Sequence, residues 1–583
     1  MSKEKKKTSQ VTRREFIKVA AVGTAGMAAA GSLAGCSVPE AGVSAVQPMT
    51  WDEEADVVIV GTGAAGLSAA VEAADNGASV LVLEKLPSIG GCSRASGGNY
   101  GSAGDDLQLQ MAEEADNPEY FLDDSAELYY QEKLKLGGYI NDPEVVRVWA
   151  DEARDGYEWF RNLGMIHTTV RMYSSLGPVR QPDNPKAMYF FNVWNTPFED
   201  GEWIGAFTKG RHHRGGTYEE FSSGEAGVMC LADAAEERGA EIRTEMQVTE
   251  IIRENGLSGD VLGVKVRDLA NDADLMIRAK KGVVLAAGGF AANAEMCKKY
   301  DPRLTTDRVN SGSAAPGALT DGGRPGREAT DSPGRGTTGE VLVAAIDIGA
   351  DVHNLSHTQL RMARSTAAYT GPKAGVPVDE GGEYIDVDGE GNRFWMEGGE
   401  LATDRYARLT HLHEKGIRTR MGNHTWWGIC DSQVMSDDPE EVQTYLDNEQ
   451  AFVADTLEEL AGIMEVPAEN LVATVERYNE LVDMGADEDF GRLSEDLTHK
   501  IEQPPFYAMP KCYYRHHSMG GVRINPNAEV VDRRGQVIPR LYAAGEQAGS
   551  TQGKERNGGC GWTDCIVFGR IAGRNAAGLE SSA

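Results

Sequence analysis

The chain has 583 residues, a formal net charge of −33 and a hydrophobic fraction of 41%. That length exceeds what one compact core accommodates, so two or more domains are expected, and the charge argues against nucleic acid and anionic lipid headgroups as partners. With no internal repeat and no low-complexity tract, the composition is that of an ordinary globular protein rather than a disordered or fibrous one.

Residues 12 to 18 read Thr-Arg-Arg-Glu-Phe-Ile-Lys, and an apolar Ala- and Gly-rich run from Val19 to Ala34 follows. The run is too short and too small-sided for a spanning helix, and its basic flank makes residues 1–35 an expected signal peptide. Paired arginines before an apolar run resemble a twin-arginine export signal, a route that carries proteins already folded, typically around a cofactor. Leu33-Ala34-Gly35-Cys36 resembles a lipoprotein cleavage site, with Cys36 as the lipidated residue. A lipid anchor is then the only expected membrane contact, and the expected place is the outer face of the cell membrane or the periplasm. Residues 36–51 are small and polar and read as a tether. Removing the basic leader leaves a still more acidic body, so an anionic substrate needs a locally positive pocket.

The cysteines are Cys36, Cys92, Cys230, Cys297, Cys430, Cys512, Cys560 and Cys565. No pair forms Cys-x-x-Cys, so covalent haem and a simple zinc site lack support and no metal is expected. Buried free thiols are the expected state; a metal or cluster role for the close pair Cys560 and Cys565 stays open.

Asp56 to Val60 is a continuous apolar run of the kind that forms a buried parallel strand. Gly61-Thr62-Gly63-Ala64-Ala65-Gly66 follows, then a helical pattern from Leu67 to Asn76 stopped by Gly77, then a second strand from Ala78 to Leu83 ending at Glu84. In this context the glycines Gly61, Gly63 and Gly66 let backbone approach a pyrophosphate, and the helix N-terminus supplies oriented N–H groups. Glu84, 18 positions after Gly66, is placed to accept from ribose hydroxyls. A second glycine-rich loop, Gly90 to Gly98, has no obvious use in a nicotinamide enzyme and points to FAD.

Three distant stretches complete the pattern: KGVVLAAGGF (281–290), HHSMGG (516–521) and LYAAGEQAGSTQGKERNGGCGWTDCIVFGRIAG (541–573). Over residues 52–583 the chain resembles the flavoprotein family of fumarate reductase and succinate dehydrogenase, nearest the soluble fumarate and urocanate reductases. The resemblance implies an α/β fold: a Rossmann-like FAD-binding domain in two parts, 52–355 and 517–583, with an inserted α+β capping domain over 356–516. Ligand and flavin would meet in the cleft between them. It further implies that Ala65, Glu84, Cys92, Ser93, Gly97 and Gly98 hold the ADP half, with Val248 offering backbone to adenine and Gly288 forming the glycine turn. Glu340 stands in Thr-Gly-Glu where the family has Thr-Gly-Asp. Glu546 would bind ribitol or pyrophosphate-side hydroxyls, and Gly561 and Trp562 would approach the isoalloxazine. No histidine lies near Cys92 for covalent attachment, so non-covalent FAD is expected. Haem and covalent-FMN motifs are missing, which implies an external electron donor such as a cytochrome or flavoprotein.

In the resembling reductases, hydride passes from flavin N5 to an activated C=C bond and an arginine protonates the other carbon. His517 matches the family's substrate-binding histidine and Arg556 its carboxylate-clamping arginine, with Gly559 beside them. Two positions depart from the pattern. The family's His-Pro-Thr falls on Arg361-Met362-Ala363, and its proton-donating arginine falls on Glu380. Arg361, Glu380, Arg364 and Tyr384 are the candidates to replace the acid, the first two foremost. The departure argues against fumarate and favours a small monocarboxylic enoate or an enone. The competing readings are a desaturase similar to 3-ketosteroid dehydrogenase and a non-catalytic flavin lipoprotein.

Overall fold

The apolar run ahead of the first glycine loop forms strand β1 (Glu53–Val60), with Val57, Val58, Ile59 and Val60 all buried. The structure, a computed structural model, describes residues 49–114, 118, 121–172, 209–304, 336–363, 384–397, 405–419, 422–435, 439–447, 451–492, 494, 497–556 and 558–578. Cys36, Arg364 and Glu380 lie outside the described residues, and Arg361 is described in its backbone alone. Residues Trp51 to Ala583 form one compact unit.

From β1 the chain turns into helix α1 (Ala64–Asp75) and returns as β2 (Val80–Leu83), parallel to β1 with Val58 opposite Leu81. Helix α2 (Ser223–Glu237) leads to β3 (Glu241–Arg243), β4 (Met246–Arg253), β5 (Val261–Asp268) and the long β6 (Ala273–Leu285). Helix α3 (Glu340–Asp347) follows.

Next come β7 (Thr358–Ala363), β8 (Ile385–Val387), β9 (Ile417–Thr419), β10 (Gly422–Asp431) and β11 (Phe452–Ala454). Helices α4 (Leu457–Met464) and α5 (Ala468–Met484) precede the thirteen-residue strand β12 (Phe506–Ser518). Strands β13 (Glu529–Val531) and β14 (Val537–Ala543) and helix α6 (Cys560–Ala577) close the chain.

Among the described residues these strands make two large sheets. The first has eight strands in the order β13-β14-β6-β1-β2-β3, with β5 antiparallel to β6 and β4 antiparallel to β5. Its centre is parallel: β1 pairs with β6 and β2, β2 with β3, and β6 with β14. Parallel strands need both faces covered, which is why β1, β2 and the end of β6 read as unbroken apolar runs instead of alternating ones. The second sheet is antiparallel, ordered β7-β12-β10-β8, with β9 on β10 and β11 on β12. Helices α4 and α5 cover it through Leu460, Met464, Leu471 and Tyr478, packed on Ile385, Val387 and Ile429.

The two sheets are not isolated. Leu360, Trp426 and Tyr513 of the second belong to the same apolar cluster as β1 and β6. Strand β12 runs through the second sheet and ends at Ser518, whose hydroxyl accepts from Phe290 N at 2.8 Å, just beyond β6. That strand carries His516 and His517 from one sheet to the mouth of the other.

Candidate active site

The site grows from the β1–α1 turn. Gly61 has φ +104°, and a Cβ there would stand 2.4 Å from Ala286 O; at Gly66 a Cβ would stand 2.0 Å from Gly61 O. Neither position admits a side chain, so the turn lies flat against the β6 turn and its backbone faces an open cavity. The second glycine loop is laced to the first. Thr62 Oγ1 accepts from Gly90 N at 3.0 Å, and Ser93 Oγ accepts from Ala64 N, in the first turn of α1, at 3.0 Å. Glu84 ties the loop to β2: Oε2 accepts from Thr62 N at 3.1 Å and Thr62 Oγ1 at 2.6 Å, and Oε1 accepts from Leu86 N at 2.9 Å.

These turns wall a cavity of about 590 Å³. Of the residues implied by the sequence for the cofactor, Gly61, Gly63, Ala65, Glu84, Cys92, Ser93, Gly97 and Gly98 all line it. So do Val248, Gly288, Glu340, Glu546, Gly561 and Trp562. Gly66 does not; its place is behind the turn, where its missing side chain lets α1 approach Gly61. The Trp562 indole N–H donates to Ser96 Oγ at 2.8 Å and its ring stacks on Phe160 at 5.8 Å, so this large wall residue is held in one orientation.

A second end of the same cavity holds His516, His517, Arg556 and Gly559. Two consecutive strand residues ordinarily face opposite sides of a sheet. Here the β7–β12 register slips: Gln359 pairs with His517 but Leu360 with Arg515, leaving His516 as the extra residue of a bulge. The bulge brings both histidines to one wall. Arg556 Nη2 lies 3.1 Å from His516 Nε2. Arginine only donates, so His516 accepts at Nε2 and, when neutral, keeps its proton on Nδ1. Gln359 Nε2 donates to Arg556 O at 2.9 Å and also to Glu555, fixing the chain that carries the guanidinium.

Burial sets the protonation of this end. His517 is held well below the ordinary histidine range by burial first, then by the positive charges of Arg556 and Lys133. Its Nδ1 stands 3.4 Å from Glu546 Oε2. Burial pushes Glu546 up to about 7 against the pull of the Ser518 N–H and Arg556. Asp564, also on the cavity wall, is pushed up to about 6 by burial. Fixed positive charge therefore concentrates on Arg556, inside a chain whose net charge is −33.

Of the candidates for a replacement acid, Arg364 and Glu380 lie outside the described residues, and Tyr384 does not line the cavity. Tyr384 is buried in the second sheet, its ring centroid 3.7 Å from Lys511 Nζ and its carbonyl accepting from Arg492 Nη1 at 2.9 Å. Arg361 lies on β7 opposite Tyr514.

Four residues escaped the sequence reading. Lys85 lines the cavity and donates to Thr338 Oγ1 at 2.6 Å and to Glu340 at 3.0 Å, so the longer carboxylate at that position reaches a lysine. His167 Nε2 donates to Gly98 O, 3.1 Å away, and steadies the second loop. His516 was hidden by the bulge. Lys133 is fully buried and bonded to Gln552. Position next to Glu84 was a usable signal for Lys85; the others depend on contacts far along the chain. Among the described residues, Cys92, Cys230, Cys297, Cys430, Cys560 and Cys565 form no disulfide.

Glycine turns where no Cβ fits, two interlocked loops and an elongated cavity suit a dinucleotide. Residues 56–562 match the family described as FAD binding domain. The chain belongs to that family. FAD is its cofactor, and the protein is a fumarate reductase-like oxidoreductase. It is 30% identical over 525 residues to the fumarate reductase (cytochrome) of Shewanella frigidimarina, covering 90% of this chain and 77% of that one. It is 28% identical to the acrylate reductase flavoprotein subunit of Shewanella woodyi, covering 96% of this chain and 97% of that one. Among solved structures, the open conformation of a flavocytochrome c3 fumarate reductase aligns with a TM-score of 0.62 and 26% identity, covering 98% of this chain and 82% of that one. A 3-ketosteroid dehydrogenase from Rhodococcus jostii aligns at 0.62 with 24% identity, covering 92% and 99%, which shows a shared fold alone.

Proposed function

We propose that the protein reduces the C=C bond of a small α,β-unsaturated carboxylate, a monocarboxylic enoate ahead of fumarate. One observation carries this: Arg556, His516 and His517 converge on one end of the cavity whose walls are the FAD-type glycine turns. Reduced FAD, when bound, supplies the hydride. Gly61, Gly63, Ala65, Glu84, Ser93, Gly97, Gly98 and the Val248 backbone would hold its ADP half, and Glu546, Gly561 and Trp562 its flavin half, without a covalent bond. The Arg556 guanidinium binds the carboxylate through its planar fork, and His516 keeps that fork turned into the cavity. Charge builds on the substrate carboxylate and α-carbon as the double bond is reduced, so a fixed cation there lowers the barrier. Among the described residues, Arg556 is the arginine that lines the cavity beside His516 and His517, which suits one carboxylate, and a relative named for acrylate supports that choice. The second sheet acts as a cap over 356–516 that excludes water. Twin-arginine export, lipidation at Cys36 and delivery of electrons by an external cytochrome or flavoprotein complete the proposal; nucleic acid has no part in it.

Anaerobic stopped-flow reoxidation of the dithionite-reduced holoenzyme tests it, with acrylate, fumarate, urocanate and cyclic enones as acceptors. Fast reoxidation by a monocarboxylic enoate is the expected result. Reoxidation by fumarate alone removes the monocarboxylate assignment. Reduction of oxidised bound FAD by a saturated ketone instead establishes the desaturase, and inertness to every compound a non-catalytic flavoprotein.

A further inference from the structure

Arg556 has acidic neighbours of its own. Glu555, next to it in the chain, is buried, and its Oε1 accepts from Arg556 N at 3.1 Å. Asp564 is buried on the same cavity wall. Two carboxyls beside one guanidinium compete with a substrate carboxylate for its charge. Resting on the enoate reading above, we propose that Lys133 is the buried counter-cation of the substrate end. It offsets Glu555 and Asp564, leaves the charge of Arg556 to the acceptor, and so makes the site select carboxylates over neutral alkenes.

The placement of Lys133 is the first support. It belongs to the helix Ala126–Leu136, has no exposed surface and is not part of the cavity wall. Its ammonium donates to Gln552 Oε1 and stands 5.2 Å from the centre of the Trp149 ring. Gln552 lies four positions before Arg556 in the chain. The turn that follows the helix is laced to the same segment. Asp142 N donates to Ser550 O at 2.8 Å, Asn141 Nδ2 to Thr551 O at 3.3 Å, and Lys554 N to Gly137 O at 2.9 Å. Lys133 is therefore held at a fixed place behind the stretch that carries the guanidinium.

The charges are the second support. Burial pulls the Lys133 ammonium down from its ordinary value, while Cys560, Asp564 and Glu555 favour its charged form and Arg556 opposes it. The influence is mutual. Burial pushes Asp564 up to about 6 against the pull of Thr551 and Lys133, and His517 is held low by burial, Arg556 and Lys133. A charge that does not reach the cavity thus acts on two of the side chains that line it. Set behind the wall, Lys133 cannot bind the substrate itself. It works through its field, which the low-dielectric interior screens weakly, and is a positioning residue for charge.

Binding to the oxidised holoenzyme tests this without turnover. Acrylate and its neutral isostere acrylamide are titrated in, and the perturbed flavin absorbance is read. Lys133→Met keeps the unbranched stem and loses the charge. It should weaken acrylate binding about thirtyfold and change acrylamide binding by no more than about twofold. Lys133→Gln, which still hydrogen-bonds, should show the same loss and decides the matter if the Met variant does not fold. Equal weakening of both ligands would make Lys133 a support for the segment alone and overturns the proposal. So does acrylate affinity within about threefold of wild type in either variant. Acrylate that binds the wild type but never reoxidises its reduced FAD sinks the reductase reading and leaves the two affinities to decide on Lys133. A wild type whose flavin spectrum no carboxylate perturbs overturns both.

Discussion

The two ends of one cavity are built in opposite ways. At the cofactor end the walls are backbone: the Gly61 turn, the loop to Gly98 and the Ala286–Gly289 turn, each set by short-range sequence. At the substrate end they are the side chains of His516, His517 and Arg556, brought from β12 and the segment before α6, with Gln359 of β7 bonded to the Arg556 carbonyl. A backbone cradle is specified by where side chains are impossible. A side-chain cluster is specified by register, bulges and buried charge. The first kind binds a fixed cofactor; the second can be exchanged residue by residue, so one flavin fold serves many acceptors.

The strongest way to break this contrast is to put a methyl group into the cradle. Gly66→Ala places a carbon 2.0 Å from Gly61 O, which no rotamer relieves. About 3 kcal/mol of overpacking strain is expected, and if it falls on the bound loop, FAD affinity drops about a hundredfold. Purified protein should emerge colourless, as read by flavin absorbance after gel filtration. Full flavin occupancy would show that the turn is not the rigid wall it is taken to be.

The substrate end offers the converse test. Arg556→Ala should lower turnover on carboxylate-bearing alkenes by about two to three orders of magnitude while the protein stays yellow. His516→Ala removes the acceptor that aims Arg556, so a smaller loss of about tenfold in kcat/KM is expected, mostly as a raised KM. Steady-state kinetics with a reduced dye reads both. If His516→Ala matched Arg556→Ala, the histidine would be touching the reacting atoms and not merely aiming the guanidinium.

The same contrast governs what was legible in the sequence. Strand β1, expected from Asp56, begins three residues earlier at Glu53, because the long β6 offers Ile277 as a partner for Glu53. Helix α1 starts inside the glycine loop at Ala64, not at Leu67, since Ser93 Oγ caps its first turn. β2 starts at Val80, later than Ala78, as Ser79 is taken up in bonds to Asp56. These are shifts of a few residues at correctly placed elements. Glu84 was found by spacing, but its bonds to Thr62 and its tie to the loop were not. At the other end, Arg556 and His517 were found through the resemblance. His516 is not singled out by its sequence, since alternation along a strand turns it away from His517, and the bulge cancels that. Lys133 gave no sign at all, being a lysine on a helix with charged neighbours in sequence and none of their exposure.

The finest test concerns whether the second sheet holds its own stability. Thr456 caps α4, its Oγ1 accepting from Glu459 N at 3.1 Å. Thr456→Ala should cost about 1 kcal/mol. Leu460, Ala461 and Met464 of α4 pack in a cluster with Leu471, Val475 and Tyr478 of α5, separate from the cluster around β1 and β6. If that cluster opens by itself, amide exchange in α4, α5 and β11 should quicken about fivefold, with β1 and β6 unchanged and flavin fully bound. Yet Leu360, Trp426 and Tyr513 join the second sheet to the first core, and that connection argues the other way. Uniform acceleration across both sheets would show that the bridge dominates and that residues 51 to 583 unfold as one.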